Sequence, residues 1–243
     1  MKNHHKPDPV SIDAVLYDVD GTFYSLRWMR LIMAFHLFRA FLINPFRMPR
    51  TLRIISAFRQ AQEHLRYEGG DLETDQIDQL TWTASKLQMD VRDIKPVITL
   101  WMEEKPLAFM RRIANLNVIE MIRILYRAKI RQGVYSDYPA LNKIDCLGLW
   151  DMLDVIVCSW DDYVMRFKPA PDGFLAAAEK LEVDPEKVIY IGDRTDADGT
   201  GARAAGMHFI HVKKINRKVV RQLRENPEKA LAMIVQQEET LND

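Results

Sequence analysis

Five short, continuously apolar runs constrain this chain more than anything else in it. They are 14–18 (AVLYD), 131–136 (RQGVYS), 154–159 (DVIVCS), 187–193 (KVIYIGD) and 207–212 (MHFIHV). Alternating apolar and polar residues mark a strand with one wet face, whereas an unbroken run of this length suits a strand covered on both. The last four runs are separated by helix-length segments: YPALNKIDCLGL, PDGFLAAAEKLEV, and DADGTGARAAG closed by Gly206. Strands alternating with helices imply βαβ crossovers, and hence an α/β fold with a doubly wound parallel sheet.

The interval between the first two runs breaks that plan, because it exceeds a hundred residues and one crossover helix needs far fewer. Its pattern is helical over 26–46, 50–67, 74–88 and 92–101, punctuated by Gly69-Gly70 and Pro96. A last helix, 118–129, returns to the sheet, with Asn117 and Glu120 spaced as a capping box. Residues 24–106 therefore read as a helical insertion over the end of the first strand, and 1–23 with 107–243 as the core. Trp28, Trp82 and Trp101 are expected to fill the insertion's interior. After Lys213 the pattern is helical and basic, with Asn226 and Pro227 placed as N-cap and N1 of a final helix.

Composition narrows the classes. The 243 residues suffice for one core and a smaller attached domain. A formal net charge of zero gives no field that would attract nucleic acid. Cys146 and Cys158 form no CxxC pair and suit a reducing compartment. The N-terminal MKNHHKPDPV has no apolar stretch of the secretory kind, so a cytoplasmic protein is expected. Residues 31–46 are the most lipophilic segment, but His36 and Arg39 interrupt it and it is too short to span a bilayer. Between Asp20 and Glu63 there is no acid, yet Arg27, Arg30, Arg39, Arg47, Arg50, Arg53 and Arg59 all occur. Three readings fit that segment: an entrance for an anionic substrate, a face for an anionic membrane, or a solvated helix surface.

Polar groups gather where the runs end, and ligands of open α/β sheets bind outside the carboxyl ends of the strands. The first run delivers Asp18, then Asp20 and Gly21. The second gives Ser136 and Asp137, the fourth Asp193 with Asp196 and Asp198 behind it, and the loop after the third gives Lys168. Several carboxylates this close cannot all stay ionised unless something offsets their repulsion. A hard divalent cation with oxygen ligands does so, and Mg²⁺ suits a site that also meets a phosphate. Asp196 reads instead as an exposed acid at a helix start.

Asp18-Val-Asp20-Gly-Thr resembles the first motif of the haloacid dehalogenase superfamily. The other motifs follow in order: Ser136 in VYSD, Lys168 in RFKPAPDGF, and Asp193 with Asp198 in GDRTDADGTGARAAGM. A helical insertion directly after the first motif is similar to that superfamily's C1-type cap. The resemblance spans residues 12–213 and implies a Rossmann-like core with an inserted helical cap. It implies a Mg²⁺-dependent phosphatase acting on a small phosphorylated metabolite, with a phosphomutase or a non-catalytic membrane-associated protein as the alternatives. Asp18 would be the nucleophile and Asp20 the general acid and base. Ser136 and Lys168 would hold the phosphoryl oxygens, with Gly21 and Asp137 beside them. Asp18, Asp20 (through its carbonyl), Asp193 and Asp198 would hold the metal. The sequence departs from the family pattern at Phe23-Tyr24-Ser25, Asp137 and Ala197, all of which border the substrate.

Overall fold

In the computed structural model of the chain, residues 11–68 and 79–242 are described. The expected N-terminal stretch, Gly69-Gly70 and the start of the 74–88 helix lie outside them. All five apolar runs form strands, each within a residue of its expected ends: β1 (Ala14–Tyr17), β2 (Arg131–Ser136), β3 (Val155–Cys158), β4 (Val188–Gly192) and β5 (His208–His211). They pair in parallel in the order β3-β2-β1-β4-β5. β1 thus lies at the centre, and the chain reverses its direction of winding beside it.

Both faces of the sheet are covered, which is why its strands carry no polar alternation. Val15, Tyr17, Val134, Ile189, Ile191 and Ile210 point to one side. There they meet α6 (Leu116–Arg127), α7 (Leu141–Leu147), α10 (Arg217–Glu225) and α11 (Pro227–Asn242). Ala14, Leu16, Tyr135, Val157 and Tyr190 point to the other, against α8 (Asp172–Leu181) and the short α9 (Thr200–Ala204). Asn226 caps α11 as expected, its Oδ1 accepting from Lys229 N at 2.9 Å. The Asn117–Glu120 capping box does not form. The cap residue is Asn115, whose N–H is taken by Phe23 O at 2.8 Å, and Glu120 instead accepts from Arg224 at 3.0 Å.

Between β1 and α6 the described residues form five α-helices: α1 (Leu26–Ile43), α2 (Met48–Glu68), α3 (Gln79–Leu87), α4 (Val91–Ile98) and α5 (Lys105–Met110). α1 stops earlier than expected because Asn44 precedes Pro45, which disfavours helical geometry. α4 gives way to a wider turn over Thr99–Glu104, just after Pro96 removes a donor from the helix. These helices have their own interior: Ile54, Phe58, Leu80, Ala84, Ile94 and Ile98, with Trp101 against Met48 and Ile55. Trp28 does not join it; more than half of its surface is exposed. The insertion leaves and re-enters the core at one crossing, where Tyr24 bridges Ala114 and Ser25 N donates to Ile113 O at 2.9 Å.

Candidate active site

β1 ends in a tight loop set by its own sequence. Asp18 N still donates to Ile191 O at 2.9 Å, and Thr22 and Phe23 then fold back on Val19 O. Gly21 has φ +98°, and a Cβ there would lie 2.1 Å from Asp193 Oδ2. Only glycine lets this loop pass so close to the carboxylate at the end of β4.

Lys168 is the hub. Its buried ammonium donates to Asp18 Oδ1 at 2.7 Å, Asp198 Oδ1 at 2.9 Å and Tyr190 Oη at 2.6 Å. Asp198 is fixed further by Arg194 N at 3.0 Å. Oxygens of Asp18, Asp193 and Asp198 all come within 4.8 Å of one another. Burial drives the Asp18 carboxyl well above its ordinary range, with Asp198 and Asp20 adding to the shift against the pull of Lys168. Asp193 is pushed up to about 6, by burial first and Asp198 next. Burial by itself would lower Lys168, but Asp18 and Asp198 hold it well above its usual value. Burial leads the shift of both acids, and three carboxylates face a single ammonium. Three converging carboxylates in this state fit a divalent cation with oxygen ligands.

Asp20 is held separately. Lys143 Nζ donates to both of its oxygens at 2.6 and 2.7 Å, and the Tyr24 hydroxyl donates to Oδ1. Burial would raise this carboxyl, but the charge and hydrogen bonds of Lys143, with the Tyr24 bond, bring it below the usual range. Lys143 escaped the sequence reading. Its signal was a lysine between Ala140 and Leu147 on the apolar stripe of α7, where it is buried.

Ser136 closes β2, is buried, and accepts from Tyr138 N at 3.4 Å. The Asp137 carboxylate accepts from Lys168 N at 3.0 Å, from Ser159 Oγ at 3.2 Å and from the Arg66 guanidinium. Arg66 belongs to α2, so the insertion reaches the core here; its buried Nε has no hydrogen-bond partner among the described residues. Asp196 is exposed, as expected, and pairs with Arg194 at 2.5 Å. A cavity of about 520 Å³ opens over these groups. Asp18, Asp20, Ser136, Asp137, Lys168, Asp193 and Asp198 line it from the core, and Met29, Arg30, Arg59, Arg66 and Trp101 from the insertion.

Residues 12–206 match the family model of haloacid dehalogenase-like hydrolases, and the chain belongs to that family. It is 45% identical over 73 residues to the glyceraldehyde 3-phosphate phosphatase of Methanopyrus kandleri, a match covering 30% of each chain. It is 39% identical over 67 residues to the fructose-1-phosphate phosphatase YqaB of Escherichia coli, covering 28% of this chain and 34% of that one. The matched stretch thus spans about a third of these relatives. Among solved structures, a 2-haloacid dehalogenase from Pseudomonas syringae superposes with TM-score 0.56 at 20% identity, over 82% of this chain and 86% of that one. The HAD-hydrolase YfnB of Bacillus subtilis gives TM-score 0.56 at 16% identity, over 82% and 87%. These likenesses establish the parallel sheet with a helical insertion.

Proposed function

We propose that the chain is a phosphatase hydrolysing a small-molecule phosphate monoester by way of a phosphorylated Asp18. The observation that carries this reading is the asymmetry of Asp18. Lys168 occupies Oδ1, while among the described residues Oδ2 has only a 3.5 Å contact from Thr22, and Asp18 lines the cavity. A carboxylate with one oxygen held and the other open is a positioned nucleophile. The step needs Asp18 ionised and Asp20 protonated, the reverse of what burial and Lys143 favour by themselves. From that state Oδ2 attacks phosphorus, the bond from phosphorus to the leaving oxygen breaks, and that oxygen takes the proton from Asp20. Water then attacks the aspartyl phosphate and gives its proton to Asp20, which releases phosphate and restores both acids.

Lys168 and Ser136 stabilise the phosphoryl oxygens. A carboxylate cannot donate a hydrogen bond, so a phosphate contact by Asp137 falls to its backbone N–H, as does that of Gly21. Asp18, Asp193 and Asp198, with the Asp20 carbonyl, would hold Mg²⁺, which would supply positive charge beside the phosphate. The division into a core (1–23 and 107–243) and a cap (24–106) belongs to the same reading, with the cap excluding water and choosing the substrate. The named phosphatases among the relatives support it.

The test is phosphate release across a panel of metabolite phosphates with and without Mg²⁺. Asp18→Asn should abolish release while the protein remains folded by circular dichroism. Turnover that persists in this variant would refute the nucleophile, and an isomeric phosphate in place of free phosphate would make the enzyme a mutase.

A further inference from the structure

The site leaves the outer face of α1 unexplained. The helix's inner face is spoken for: Met29 is buried, Met33, Leu37 and Ala40 pack against the Trp101 cluster, and His36 lies 4.9 Å from Phe109. On the opposite side Trp28, Leu31, Phe35, Phe38 and Leu42 recur at intervals of three and four, which aligns them in one stripe. Each is more than half exposed, as are Ile43 (79%) at the helix's last position and Phe46 (93%) just past it. An aromatic side chain presents about 150–250 Å², so these residues together exceed the ~300–600 Å² of the largest apolar patch on an ordinary monomer.

Charge says what covers this patch. At about 100° per residue, Arg27 and Arg39 fall about 60° to either side of the stripe. Arg47, Arg50 and Arg53 follow in the connection after α1 and the first turns of α2, and all five are exposed. Arg50 pairs with Asp93; among the described residues no carboxylate pairs with Arg27, Arg39, Arg47 or Arg53. We propose that this face seats the protein on an anionic lipid surface, with the apolar stripe entering the headgroup boundary and the flanking guanidinium groups meeting lipid phosphates.

Both faces of α1 are apolar, the inner one against the fold, and an outer apolar face edged by cations suits the headgroup boundary, where the guanidinium groups stay in water. The helix lies on the bilayer, since none of the described helices is long and apolar enough to cross one. A second copy suits the face poorly. A two-fold dimer sets the same patch against itself, and residues 21–62 hold no acid to answer the arginines brought together. Leu26, Met29 and Arg30, at the start of the same helix, line the cavity over Asp18, so seating brings the cavity close to the lipid.

The experiment is flotation of the full chain with vesicles of phosphatidylcholine alone, or of phosphatidylcholine with phosphatidylglycerol. Binding is expected only with phosphatidylglycerol, weakening as salt rises, together with a blue shift of tryptophan emission. Phe35→Asp with Phe38→Asp, and separately Arg39→Glu with Arg47→Glu, should each weaken it about tenfold or more. Both variants should keep the wild-type circular dichroism and a melting temperature close to wild type, because all four side chains are exposed and none belongs to an interior cluster. Three results would overturn the proposal. They are no flotation with anionic vesicles, flotation unchanged by the charge reversal, or a dimer in sedimentation velocity that the Phe35 and Phe38 substitutions dissociate.

Discussion

Replacing Lys168 by methionine tests the electrostatic design of the site most directly. Methionine keeps most of the length and apolar volume and deletes the charge. Asp18 and Asp198, both buried, would lose the ammonium that lies 2.7 and 2.9 Å from them. Removing one partner of a buried pair costs about 3–5 kcal/mol. At about 2–4 °C per kcal/mol for a chain of this size, the melting temperature should fall by about 6–20 °C. The pH dependence has a definite sign. Burial already holds the Asp18 carboxyl above its ordinary range, and without Lys168 it rises further. A group whose pKa is higher in the folded state binds more protons there, so its variant gains stability as pH falls. Thermal unfolding followed by circular dichroism between about pH 8 and pH 5 should show the deficit shrinking. Added Mg²⁺ should shrink it too, by supplying charge in place of the ammonium. A variant that melts with the wild type at every pH would refute the assignment of Lys168 as the site's counter-charge.

Further outcomes follow from neighbouring groups. Lys143→Met should move the pH limb set by Asp20 upward in kcat/KM profiles, because burial then acts on that carboxyl without its main opponent. Gly21→Ala should cost about 1–3 kcal/mol in backbone strain and displace Asp193, which calorimetry would read as weaker Mg²⁺ binding. Arg66→Ala removes the charged bond between α2 and Asp137, worth about 1.5–3 kcal/mol. KM should therefore rise about tenfold or more, while Ser159 and Lys168 N still hold Asp137.

What was legible in the sequence follows from how each feature is encoded. The strands announced themselves because burial on both faces demands unbroken apolar runs. Asp18, Ser136, Asp193 and the loop carrying Lys168 were readable because each sits where a strand stops, and parallel strands stop together. Lys143 and Arg66 were not: they meet their partners 123 and 71 residues away, and a lysine on the apolar stripe of α7 marks only burial, not what it meets. Trp28 shows the opposite failure. An apolar residue in a helix is ordinarily taken for interior, and the sequence does not say that one apolar face of α1 is exposed. The Asn117–Glu120 spacing was a sound local pattern, defeated by the crossing that draws Asn115 to Phe23.

That crossing bears on chemistry as well as architecture. Tyr24 is at once the doorpost through which the insertion leaves the core and a hydrogen-bond donor to Asp20. Burial and Asp20 both raise its phenol, so it keeps its proton to give. Any swing of the helical domain about this doorpost would lengthen or shorten that bond and reset how readily Asp20 surrenders a proton. Opening and acidity would then be one variable, and a substitution chosen only to loosen the entrance would also retune the acid.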